Sequence, residues 1–142
     1  IFWIILTLLF LIIPKMRKTG IIMAAALIMD LLICNIAVKN LAARTRPYDV
    51  NTSVQLLVAK LHDYSFPSGH TAASFAAVTA LFMSREKMLG AISCVIAILI
   101  AFSRMYLYVH YPTDILGGMI VGIAMGYLAS RVVYCLWRSG NE

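Results

Sequence analysis

Charge is what this sequence has least of: 13% of its 142 residues are Asp, Glu, Lys or Arg, against roughly 25% in soluble domains. So few charges cannot dress a water-facing globule, and 62% hydrophobic residues with a mean hydropathy of +0.88 point to the bilayer as solvent. Cysteine is scarce as well. Cys34, Cys94 and Cys135 each lie inside an apolar run, without the paired spacing of a zinc site or a disulfide framework. The four prolines form no linker, and there is no Gly/Ser-rich stretch, internal repeat or low-complexity tract, so residues 1–142 read as a single membrane-embedded domain. Acidic residues are outnumbered by basic ones, six to twelve, for a net charge of +6. The basic residues are scattered at the ends of apolar runs instead of forming one stripe, which argues for membrane topology and against nucleic acid as a partner.

What is present is hydrophobic run after hydrophobic run: Ile1 to Ile13, Ile21 to Val38, Thr71 to Met83, Met88 to Ser103, and Ile115 to Trp137. These predict an all-α, polytopic transmembrane bundle with five helices. A spanning helix needs about 20 residues, so the first run is too short; it opens without an initiator Met or a basic leader and reads as the remnant of a longer chain, not a signal peptide. The third and fourth runs are also short. Their ends near the long 39–70 connection are therefore expected to be polar and sunk below the membrane surface, with a water-accessible pocket at one interface.

If the helices alternate in direction, Lys15, Arg17, Lys18, Arg85, Lys87, Arg131 and Arg138 fall on one side. By the positive-inside rule that side is cytoplasmic, and the 39–70 connection faces outward. Gly118, Gly122, Gly126 and Ser130 recur every four residues, as do Ala72, Ala76 and Ala80. Small faces of this kind let helices approach closely, and packing is the role assigned to them.

Three polar clusters are predicted to meet at the outward face. The first is Lys39 with Arg46-Pro47. On a helix a spacing of seven returns both cations to nearly one face, with Pro47 helping to stop the helix. Taken alone, the pair reads more simply as a basic flank snorkelling to headgroups. The second is Pro67-Ser68-Gly69-His70, directly before an apolar helix. Backbone N–H groups at a helix start favour an anion, although the string by itself is also an ordinary turn with an N-cap. The third is Ser103-Arg104, then His110 and Asp114. A carboxylate four residues on from a histidine can hydrogen-bond one imidazole nitrogen and leave the other free to attack. A lone His and Asp at a helix start are more often caps or a surface pair. Jointly the clusters supply three cations, two histidines, a carboxylate and a possible amide nest, which is the inventory phosphoryl transfer requires without a metal.

These clusters, in this order and spacing from Lys39 to Asp114, resemble the three signature motifs of the type 2 phosphatidic acid phosphatase superfamily, which also includes vanadium haloperoxidases. The resemblance implies a metal-independent membrane phosphatase needing no cofactor. It implies that His110 is the nucleophile, Asp114 its orienting partner and His70 the general acid, with Lys39, Arg46, Arg104, Ser68 and Gly69 binding the phosphoryl oxygens. It further implies six helices, so that one upstream helix is missing from this sequence. The expected substrate is a lipid phosphate or pyrophosphate: undecaprenyl pyrophosphate first, with phosphatidylglycerophosphate and phosphatidic acid as alternatives, in a bacterial cytoplasmic membrane. A non-catalytic lipid-phosphate binding or translocating protein is the competing class.

Outside the clusters the expectations are plainer. Asp30, in mid-membrane, is read as an interhelical hydrogen-bonding or cation-paired group and Asn35 as packing glue. His62 and Asp63 are read as solvated loop residues. Arg44 lies off the Lys39 and Arg46 face and is assigned to headgroups, and Tyr106, Tyr108 and Tyr111 to an interfacial belt.

Overall fold

The five apolar runs become five helical rods. The computed structural model of the protein describes residues 1–139, and its elements are α1 (Phe2–Ile12), α2 (Arg17–Asp30), α3 (Lys39–Ala42), α4 (Pro47–Val50), α5 (Gly69–Met83), α6 (Lys87–Tyr106) and α7 (Pro112–Ser139). A π-helical stretch, Leu31–Val38, joins α2 to α3, so that these form one rod. No strand occurs among the described residues.

The rods outrun the apolar runs where nothing stops them. The fourth run was expected to be short, yet α6 has 20 residues because Arg104, Met105 and Tyr106 continue the helix; polar residues do not end a helix that meets no Gly or Pro. The third run does stay short. With 15 residues, α5 is about 22 Å long at 1.5 Å per residue, less than the roughly 30 Å hydrocarbon core. Just beyond its end at Met83, Arg85 with a φ of 65° reverses the chain, while Glu86 N–H returns to the Leu81 carbonyl at 3.0 Å.

This short helix is the centre of the bundle, touching α1, α2, α6 and α7. Its small residues make that possible: Ala72, Ala76, Ala77 and Ala80 are wholly buried. The predicted small faces of α5 and α7 do meet. A Cβ placed at Gly118, Gly122 or Gly126 would come within 2.6, 2.2 and 2.6 Å of the carbonyl oxygens of Ser68, Ala72 and Ala76 respectively. The pairings advance together along both chains, so α5 and α7 run parallel and their N-termini share one end of the bundle.

Around this core the hydrophobic effect is turned outward. Ile4, Leu8, Leu32, Ile92, Leu99, Ile120 and Leu136 are all at least half exposed on the helix exteriors, a surface that suits lipid and not water. Pro14–Val50, Lys87–Tyr106 and Pro112–Ser139 are long and apolar enough to cross a membrane. At one end Lys18 Nζ lies 4.1 Å from the centroid of the Tyr134 ring, and Tyr134 OH donates to the Met83 carbonyl at 3.1 Å. The start of α2 and the ends of α5 and α7 therefore lie together, which gathers Lys15, Arg17, Lys18, Arg85, Lys87 and Arg138 at that end.

Candidate active site

At the opposite end the three sequence clusters converge, by a different local route from the one the spacing predicts. Lys39 and Arg46 do not share an uninterrupted helix. α3 stops at Ala42, and Ala43 turns into the left-handed region with φ 45°, its N–H returning to the Lys39 carbonyl at 3.0 Å. Pro47 then opens α4 instead of ending a helix. The reason is local: a proline drives the residue before it out of the helical region, and Arg46 sits at φ −78°, ψ 154°. The extended strand of chain still carries the Arg46 guanidinium inward, where it is buried and held by three carbonyls: Asp63 and Val109 at 2.8 Å and Tyr64 at 3.3 Å.

His110 lies in the connection between α6 and α7, buried. Its Nε2 is 3.4 Å from Arg46 Nη1, and its Nδ1 is 3.5 Å from Asp114 Oδ2 without forming a hydrogen bond. Burial is the main reason the His110 imidazole titrates below the ordinary 6.5; Asp114 pulls it up, while Arg46 and Lys39 push it down.

Asp114 is fully buried at the first turn of α7 and held from several sides. The Tyr111 N–H donates to Oδ2 at 2.9 Å, as does the Ser65 hydroxyl, and Arg44 Nη1 donates to Oδ1 at 2.8 Å. Arg44 also donates to Thr113 Oγ1 at 2.6 Å and stacks over the Tyr111 ring at 4.1 Å. The reading of Arg44 as a headgroup contact is thus corrected: once the chain leaves the helix at Ala43, helical-face arithmetic no longer locates it. Ser65 carries no sequence signal of its own.

His70 sits in the first turn of α5. Ser74 Oγ donates to its carbonyl at 2.7 Å, and Trp3 Nε1 donates to Ser74 Oγ at 2.8 Å, which ties α1 to the site. Arg104 comes from the last turn of α6. Lys39, Arg46, Gly69, His70, Arg104 and His110 all border one cavity of about 400 Å³. Trp3, Ala73 and Ile100 form its apolar wall. Like Asp114, Ser68 does not border this cavity. It is wholly buried outside this wall, its N–H donates to the Asp114 carbonyl at 3.0 Å, and its hydroxyl accepts from Thr71 Oγ1 at 3.0 Å.

Asp63 also departs from its reading as a solvated loop residue. One carboxylate oxygen bonds Lys39 Nζ and the other accepts from Arg46 Nη2 at 2.5 Å. Burial opposes its ionisation, but the hydrogen bonds and charges of Lys39 and Arg46 outweigh it and hold the carboxyl below the usual range. Asn35 borders the cavity, and its Oδ1 would stand 2.5 Å from a Cβ at position 69, so any side chain there would have to turn Asn35 aside. Asp30 is buried in mid-bundle, and its Oδ1 has no hydrogen-bonding partner among the described residues. Among them, too, no cluster of three or more His, Cys, Asp or Glu is placed to hold a metal ion. A cavity with three cations and two imidazoles suits a small, multiply charged anion.

The family model of the PAP2 superfamily matches residues 19–138. An undecaprenyl-diphosphatase of Sulfolobus acidocaldarius is 29% identical over 130 residues, covering 92% of this chain and 63% of the relative. The undecaprenyl-diphosphatase BcrC of Bacillus subtilis is 35% identical over 86 residues, 61% of this chain and 44% of the relative. The chain thus spans less than two thirds of the length of these relatives. Among solved structures, Aquifex aeolicus LpxE superimposes with a TM-score of 0.77 at 30% identity, over 89% of this chain and 74% of LpxE. A transmembrane PAP2-type phosphatidylglycerolphosphate phosphatase from Bacillus subtilis follows at 0.69 and 30%, over 92% of this chain and 66% of that structure. The family match runs from the first turn of α2 to the last turn of α7 and takes in every polar residue of the cavity, so this chain belongs to the PAP2 superfamily.

Proposed function

We propose that the protein is an integral-membrane lipid phosphatase working through a phosphohistidine. The observation that carries this reading is the position of His110, with Nε2 beside Arg46 and Nδ1 toward Asp114, in a cavity shared with Lys39, His70 and Arg104. A proton on Nδ1, on the Asp114 side, leaves the Nε2 lone pair free. Nε2 attacks phosphorus, the bond from phosphorus to the lipid oxygen breaks, and His70 gives that oxygen its proton. Water then attacks the phosphohistidine, His70 takes up a proton from it, and the N–P bond breaks to restore His110. Lys39, Arg46 and Arg104 offset the charge on the equatorial oxygens, with the Gly69 N–H at the start of α5 adding a donor. Ser68, whose hydroxyl accepts from Thr71, frames this turn.

The apolar wall of the cavity and the lipid-facing exterior support a lipid as the leaving group. The relatives named as undecaprenyl-diphosphatases favour undecaprenyl pyrophosphate as the first candidate, with phosphatidylglycerophosphate and phosphatidic acid next. We place the cationic end in the cytoplasm of a bacterial cell and the cavity on the outer side of its membrane. The test is a phosphate-release panel of these lipids in detergent and chelator, with wild type beside His110→Ala. Release by wild type alone is expected. Equal release by both, or release that requires added magnesium, overturns the mechanism; turnover of another lipid but not undecaprenyl pyrophosphate overturns the substrate choice.

A further inference from the structure

The two most deeply buried cations of the cavity, Lys39 and Arg46, are 5% and 2% exposed, and both already hold an anion, the Asp63 carboxylate. Asp63 differs from them in reaching the surface: its side chain is 51% exposed and it lies in an irregular stretch between α4 and α5. The backbone around it is fastened separately, since Arg46 Nε and Nη2 bond the Asp63 and Tyr64 carbonyls. Rotation of the side chain alone therefore frees both cations without unfolding the segment. A landing place lies alongside. A second cavity, of about 320 Å³, is bordered by Asp63 together with Arg44, Arg46, Lys60, His62 and one other carboxylate, Asp49, so that cations outnumber acids there.

We infer that Asp63 is an exchangeable counter-anion that substrate phosphate must displace from Lys39 and Arg46, and that it thereby sets the charge threshold for binding. The inference rests on the phosphatase reading above. An incoming group with one negative charge merely replaces the carboxylate and gains little. A terminal phosphate or diphosphate carrying close to two charges gains a net attraction to the same cations and to Arg104. The carboxylate thus imposes one displacement cost on every anion, which a terminal phosphate offsets and a singly charged phosphodiester or sulfate monoester does not. It also keeps two buried cations compensated when no substrate is bound, where an unpaired buried charge is strongly unfavourable.

The experiment is calorimetric titration of purified protein in detergent with inorganic phosphate and with methyl sulfate, for wild type, Asp63→Asn, Asp63→Ala and Asp63→Glu, each checked by thermal unfolding. Neutral residues at this position are expected to tighten phosphate binding by about tenfold, the scale of a hydrogen bond to a charged group. They are expected to tighten methyl sulfate by a similar factor, since either anion breaks the same two bonds, so that it binds measurably only once the carboxylate is gone, while Asp63→Glu behaves as wild type. Phosphate that binds wild type but binds Asp63→Asn and Asp63→Ala equally or more weakly overturns this inference alone. If one neutral variant does not fold, the other against Asp63→Glu gives the same comparison. Failure of phosphate to bind wild type and variants alike overturns the inference together with the reading on which it rests.

Discussion

Arg44 and Asp114 stand 70 residues apart in the chain and are joined by a 2.8 Å bond from Nη1 to Oδ1. The pair leaves Asp114 engaged on both oxygens while His110 Nδ1 waits 3.5 Å away. Removing Arg44 strengthens the field of Asp114 at His110, whose other charged neighbours are Arg46 and Lys39. Arg44→Ala is therefore expected to move the acid limb of kcat/KM to higher pH and to lower its plateau by about tenfold. Arg44→Lys should restore the position of the limb in part. Because Asp114 is wholly buried and loses a charged donor, the accompanying loss of stability should be about 2 kcal/mol.

The pH profile of wild type follows from the burial of His110. Attack requires the neutral imidazole, and the environment lowers its pKa from 6.5, so the acid half-point of kcat/KM should fall below pH 6.5. The sign can be checked with Asp114→Asn. Losing the carboxylate removes an influence that raises the pKa, so the limb should move further to the acid side as activity drops.

The two histidines should be separable by the leaving group. His110→Ala is expected to lose activity on every substrate by about four orders of magnitude or more. His70→Ala should cost about 10² to 10⁴ on lipid phosphates, where the departing oxygen needs a proton, and far less on p-nitrophenyl phosphate, whose leaving group departs as an anion. Equal losses on both substrates would remove His70 from the acid role.

The contact between α5 and α7 should tolerate no methyl at its tightest point. A Cβ at Gly122 would stand 2.2 Å from the Ala72 carbonyl oxygen, which is backbone and cannot swing aside, whereas at Gly90 it meets the Phe82 ring at 3.0 Å. Gly122→Ala should cost about 1 to 3 kcal/mol, and Gly90→Ala clearly less, by thermal unfolding in detergent. Since α5 and α7 carry His70 and Asp114 at their first turns, Gly122→Ala should also depress turnover.

Most of the architecture was legible in the chain because hydrophobic periodicity and run length are local properties. The five rods, the meeting of the Gly118 to Gly126 face with the Ala72 to Ala80 face, and the gathering of cations at one end all follow from residue types and spacing. So does the convergence of Lys39, Arg46, His70, Arg104 and His110, since alternating helices carry polar ends to a common face. Where spacing was extended into geometry it failed. The helix expected through Arg46 ends before it: Ala43 turns left-handed, Pro47 holds Arg46 extended, and Arg44 thereby reaches Asp114.

By itself the sequence determined that this is a helical membrane bundle whose polar motifs lie at one end, because apolar length and motif spacing are written one residue after another. Only the tertiary structure decided which groups compensate one another inside the cavity. Asp63 on Lys39 and Arg46, Arg44 and Ser65 on Asp114, and the withdrawal of Ser68 from the wall are such decisions. The physical reason is that a buried charge must find its partner through space, and the loops that supply those partners have no periodicity from which their position could be read.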